Sequence, residues 1–160
     1  MNFEMATNRF NNESLEVNNR YKQNNNIDGV VYGSPLPIRD KFPVGGVLFV
    51  IEMNIDTNKI IGIGVIRNQI NYTYSKSIYF NQNWNQFIYS GKYWLSREDL
   101  LAHSIELTEN LEKCLFKGKS HLKRLSGITI ITEKCYNRWE MNKEELKRSI
   151  KNLFLERFKK

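Results

Sequence analysis

At 160 residues and 19.0 kDa the chain can bury one sizeable core, and its 41% hydrophobic and 26% charged content is ordinary for a globular protein. A net charge of +7, with a pI near 9.4, is less ordinary and favours polyanionic partners. The longest apolar run, GGVLFVI, is far short of the roughly 20 residues a membrane span needs, the N-terminal MNFEMATNRFNNESLEVNN has no apolar signal core, and two cysteines are too few for a disulfide framework, so an intracellular protein with reduced thiols and no membrane partner is expected.

In chain order, TNRFNNESLEVNNRYKQN puts Phe10, Val17 and Tyr21 on one helical side behind a Thr7 or Asn8 cap, which predicts a helix over 7–22. A short strand at 30–32 follows, then an irregular loop that holds all three prolines, Pro35, Pro37 and Pro43. GGVLFVIEMNIDTNKIIGIGVIRN reads as two strands, 47–53 and 60–66, joined by a turn at Asp56, Thr57 and Asn58. Both strands are apolar on both faces, so this hairpin is expected at the centre of the sheet. Gly62 and Gly64 alternate along its second strand and leave one bare face, open to a close-packed side chain or a ligand.

The next segment, YTYSKSIYFNQNWNQFIYSGKYWLS, is aromatic. Tyr72 alternates with Tyr74 and Phe87 with Tyr89, which predicts two or three short strands with Asn-rich turns. Ser96 and Asp99 form a capping pair for one helix that ends at Gly118. GITIIT, 127–132, is expected as a buried strand. Residues 142–160 are expected as an amphipathic helix with Asn142 as cap, acids in its first turn and lysines in its last. This order has no regular β-α alternation, no repeat and no linker. A single α+β domain over 1–160 is therefore expected, a small curved mixed β-sheet or open β-barrel with flanking helices.

Residues suited to catalysis are sparse. His103 and His121 have no metal-ligand spacing, no C-x-x-C or H-E-x-x-H occurs, and GIGVIR lies inside a strand rather than at the strand-to-helix turn a dinucleotide needs. Cys114, near the end of its helix, reads as a small buried hydrophobe ahead of a nucleophile. No catalytic residue, metal or cofactor is assigned on these grounds.

What stands out is a combination suited to binding. KCLFKGKSHLKR carries Lys113, Lys117, Lys119, Lys123 and Arg124 with no acid, whereas the first thirty residues hold three cations and four acids. The aromatics Tyr72, Tyr74, Tyr79, Trp84, Tyr89, Tyr93 and Trp94 gather just before it. Cations for phosphates and flat rings for bases are what single-stranded nucleic acid requires. Trp84, in the polar context NQNWNQ, is the ring expected at the surface; Trp94 stands beside a helix cap.

The hairpin VLFVIEMNIDTNKIIGIGVIRN, followed later by the basic KGKSHLKRLSGITII ahead of a last strand, resembles the PUA-like superfamily with its PUA, ASCH, EVE and YTH modules, over roughly 29–132. The chain is also similar to proteins of large DNA viruses with AT-rich genomes. YGSPLPIRDK stands where ASCH domains carry G-x-K-x-x-E-x-R, so ASCH-specific ligand chemistry is not carried over. The resemblance implies a ligand pocket between the barrel and the segment after its first strand, which brings Ser34, Pro35 and Arg39 toward the ligand. The resulting expectation is a nucleic-acid-binding module, RNA ahead of DNA, reading a modified or flipped base. Lys117, Lys119, His121, Lys123, Arg124 and Arg67 would face the nucleic acid, and Ser34, Pro35, Asn68, Trp84, Tyr89 and Trp94 the base. The alternatives are an enzyme on the same scaffold, with Asn68, Ser34, Lys119 and His121 at its site, and a protein-interaction domain using the basic C-terminal helix.

Overall fold

The computed structural model describes residues 2–39, 41–72 and 77–159. The chain begins with a strand, β1 (Phe3–Phe10), where the helical spacing of Phe10, Val17 and Tyr21 predicts a helix from 7. Phe3 and Met5 enter the core on one face of the sheet, and Ala6 and Phe10 the core on the other. Burial on both faces overrides the local pattern, so helix α1 (Asn12–Asn24) starts five residues later than expected. Asn11 is its cap. Its side chain accepts from the Ser14 amide at 2.7 Å while Ser14 Oγ accepts from the Asn11 amide at 3.0 Å, a reciprocal capping box.

β2 (Val30–Ser34) and the long proline loop lead into the hairpin, β3 (Val47–Asn54) and β4 (Lys59–Arg67), within a residue or so of the predicted bounds. The pairs Glu52–Gly62 and Met53–Ile60 leave Ile61 as an extra residue, a bulge in β4 beside Glu52. A 3-10 turn (Gln82–Asn85), β5 (Phe87–Gly91) and β6 (Trp94–Ser96) occupy the aromatic segment. Tyr72 is in no strand, and Tyr74 lies outside the described residues.

The helix predicted from Ser96 to Gly118 is two helices, α2 (Arg97–His103) and α3 (Ile105–Phe116). Ser104 interrupts them because its extended backbone lets its hydroxyl accept from the Leu107 amide at 3.1 Å and cap the second. The strand predicted over 127–132 shortens to β7 (Thr129–Ile130), and Thr132 instead caps a helix the periodicity did not show, α4 (Glu133–Trp139). The last helix, α5 (Lys143–Phe158), starts as expected from Asn142, whose side chain accepts from the Glu145 amide at 3.0 Å.

The strands make a mixed five-stranded sheet, β6-β4-β3-β1-β7, with β1 parallel to β3 and the other neighbours antiparallel, and a separate antiparallel ribbon of β2 and β5. The result is the α+β class with a mixed sheet, and the sheets do not close into a barrel. Alternation along β3 assigns the two faces. Phe49, Ile51 and Met53 pack toward α2–α5, and Leu48 and Val50 toward the β2–β5 ribbon. Val31 and Ile88, on the far side of that ribbon, meet Tyr21 and Ile27 of the α1 region. Among the described residues no helix is long and apolar enough to cross a membrane.

Candidate functional site

Two polar centres grow out of this frame. The first is inside it. Glu52 lies on the ribbon-facing side of β3, 6% exposed. Tyr32 of β2 donates its phenol to Glu52 Oε2 at 2.6 Å, and Trp94 of β6 donates its indole Nε1 to Oε1 at 2.8 Å. The bare face of β4 makes room for both: a Cβ on Gly64 would collide with the Tyr32 hydroxyl, and one on Gly62 with the Trp94 indole. Lys22 stands 5.4 Å from the centre of the Trp94 ring. Burial pushes the Glu52 carboxyl up from its ordinary range, while the two donors and the Lys22 charge hold it down in part. Burial, then the nearby carboxylate, raise the Tyr32 phenol well above its usual value, so it stays a donor. Trp94, expected at a base pocket, is thus committed to an internal carboxylate.

The second centre is the basic turn. Gly118, with φ of +80°, ends α3 as its position predicted. From there the backbone is held at three points. Leu122 is buried and its amide donates to the Leu115 carbonyl at 2.8 Å. Trp139 Nε1 donates to the Ser120 carbonyl at 3.0 Å, and Arg9 Nη1 reaches across from β1 to the Lys123 carbonyl at 2.8 Å. At its far end Gly127, with φ of +69°, packs so tightly on Ser34 Oγ that any side chain there would collide with it. The cations project outward: Lys117, Lys119 and Arg124 are exposed, and Lys123 and His121 half-buried. His121 Nδ1 accepts from the Lys123 amide at 3.2 Å. Among the described residues, none of these four cations makes an ion pair; the pairs present, such as Arg97–Glu112 and Lys143–Glu4, lie elsewhere.

Arg9 connects this turn to a cleft of about 330 Å³ that it lines together with Asn8, Gly33, Tyr79, Phe80 and Trp84. The asparagines of the NQNWNQ stretch build its wall. Asn85 accepts from the Tyr79 amide at 2.9 Å and donates to the Tyr79 carbonyl at 2.7 Å, and Asn81 accepts from the Asn83 amide at 3.0 Å. Buried Asn18 donates to the Val31 carbonyl and to the Tyr79 hydroxyl, fixing the Tyr79 ring from behind. Burial raises the Tyr79 phenol, which accepts there. Two rings remain at solvent: Trp84 is half-buried and Phe80 is 87% exposed.

The predicted base pocket is therefore dispersed. Trp84 is on the cleft, and Ser34 and Pro35 are beside Gly127 at the foot of the turn. Tyr89 is buried, its hydroxyl accepting from the Ile38 amide at 3.1 Å. Asn68 donates to the Phe42 and Pro43 carbonyls and closes the proline loop. Arg67 donates to the Gly45 carbonyl at 3.1 Å, on a different surface from the turn. Arg9, Phe80 and Glu52 were not singled out by the sequence. A lone arginine, ring or acid inside a strand or loop shows no partner until the fold supplies one. Cys114 is half-buried on α3, and burial raises its thiol, against nucleophilic use. Among the described residues no three His, Cys, Asp or Glu side chains gather to hold a metal ion. Compared with known proteins, the chain matches no family model, no curated protein and no solved structure.

Proposed function

We propose that this protein binds single-stranded nucleic acid, RNA ahead of DNA, with phosphates on the 117–124 turn and a base against Trp84 and Phe80 in the adjoining cleft. The observation that carries this reading is the turn itself. Four cations with no acidic partner among the described residues project from a backbone that Arg9, Trp139 and Leu115 hold in place. A loop kept only for solubility needs no such anchoring. With the backbone already ordered, only side-chain freedom is lost when a polyanion binds. Arg9 joins the array to a cleft with two solvent-facing rings, and each base stacked on a ring contributes about 1–3 kcal/mol. The resemblance to PUA-like domains belongs to the same proposal. It is supported by the central hairpin with its glycine-marked strand and by the basic segment ahead of β7.

The test is a titration of a labelled uridine-rich RNA, followed by anisotropy from about 50 to 200 mM salt. Binding that weakens steeply and linearly in log–log form is expected. No binding of RNA or DNA at the lowest salt would end the reading.

A further inference from the structure

A second surface is independent of the turn. Between the ends of β3 and β4, the β5–β6 connection and α5 runs an open cleft of about 880 Å³. Four of the eight large apolar side chains most exposed among the described residues, Tyr72, Tyr93, Leu155 and Phe158, line it. Such gathering marks an interaction surface rather than scattered exposure. Four cations, Arg67, Lys92, Lys151 and Lys159, also line it, and no acid does among the described residues. On α5, Lys151 and Leu155 stand four residues apart on one side of the helix, and Lys159 follows just past its end, so charge and apolar surface share one wall.

We infer that this cleft docks an amphipathic helix of a partner protein, apolar on one face and flanked by glutamates or aspartates. An apolar lining with a cationic rim and no acid among the described residues complements this occupant in polarity and in charge. Between the rings the floor is aliphatic, with Val47, Val65 and Ile66, a surface that suits leucine-type side chains. Tyr93 and Phe158 already pack on each other at 5.0 Å. The lining separates a helix from an added strand: the Val65 amide of β4 already donates to the Tyr93 carbonyl at 3.0 Å, so that donor is not available to an extended peptide. A helix lays its apolar side on the floor and sets its acids against the cations of the rim.

The test uses a fluorescein-labelled helical peptide of roughly four turns, with leucines on one face and glutamates flanking them. Its scrambled form and its lysine-for-glutamate form are the controls. Wild type is expected to bind the glutamate peptide at least about tenfold more tightly than either control. Lys151→Glu with Lys159→Glu should reverse the preference toward the lysine peptide. Leu155→Glu, at a side chain 54% exposed and so tolerant of charge, should weaken the glutamate peptide about tenfold while RNA binding at the turn stays unchanged. Equal binding of scrambled and patterned peptides, or an unaltered preference in the charge-reversed variant, would overturn the inference. Displacement of the peptide by a uridine oligonucleotide would overturn it too, in favour of nucleic acid. Absence of RNA binding beside intact peptide binding would count against the turn alone.

Discussion

Glu52 and the 117–124 turn both set charge against their surroundings, and the chain treats them oppositely. At Glu52 the charge is buried and both carboxylate oxygens have a donor, from Tyr32 and Trp94, over a floor of two glycines. At the turn the backbone is anchored, and among the described residues its four cations make no ion pair. A buried ion must be satisfied within the fold, since leaving it unpaired costs several kcal/mol. An exposed cluster carries no such obligation, and its charge stays available to a partner. Charged side chains thus serve structure in one region and recognition in the other.

Two tryptophans sharpen the contrast. Trp94→Ala removes a ring packed on β4 and one of the two donors to Glu52, and should cost about 3 kcal/mol or more of folding stability, read as a shift in urea midpoint. Trp84→Ala should leave that midpoint nearly unchanged and cost about 1–3 kcal/mol of RNA affinity without altering its salt dependence. If the two variants exchanged these effects, the assignment of the regions would be reversed.

Tyr32→Phe deletes only a hydroxyl. Glu52 then keeps one donor in a site that excludes water, and the loss should be about 1–3 kcal/mol of stability with RNA affinity intact. A neutral outcome would mean that the phenol makes no net contribution to holding Glu52.

The smallest effect is a dependence on pH. Burial raises the folded-state pKa of Glu52 above its unfolded value, so the folded state takes up this proton more readily. Its contribution to stability is present at low pH and is lost as pH rises from the ordinary glutamate range through the raised value. The stability of wild type relative to Glu52→Gln should therefore decline across that window, as a pH series of urea midpoints would record. A difference that rises with pH would mean that the donors outweigh burial.

How much of this was legible in the sequence follows from how local each cause is. The central hairpin could be read because two doubly apolar runs face each other across a short turn. The caps at Ser96 and Asn142 and the glycine after α3 could be read because capping chemistry spans three or four residues. β1 could not, since its place depends on a parallel partner in β3 and on burying Thr7 and Asn8, which no local pattern announces. α4 is short, and its cap Thr132 is continuous with the apolar run of β7. Glu52 showed no role because its partners stand 20 and 42 residues away. The cations of the turn were plain in the sequence, while the bond from Arg9 that ties them to the Trp84 cleft spans 114 residues.

The central claim is that the anchored turn, rather than basic charge in general, receives phosphates. It is tested most directly by the salt dependence of RNA affinity in Lys119→Ala with Arg124→Ala, set beside a charge-matched control, Lys59→Ala with Arg148→Ala, at exposed cations on β4 and α5. The account predicts that the turn variant binds more weakly and that its log–log slope falls by about two, one for each phosphate left without its cation, while the control keeps the wild-type slope. Equal slopes in the two variants would contradict it.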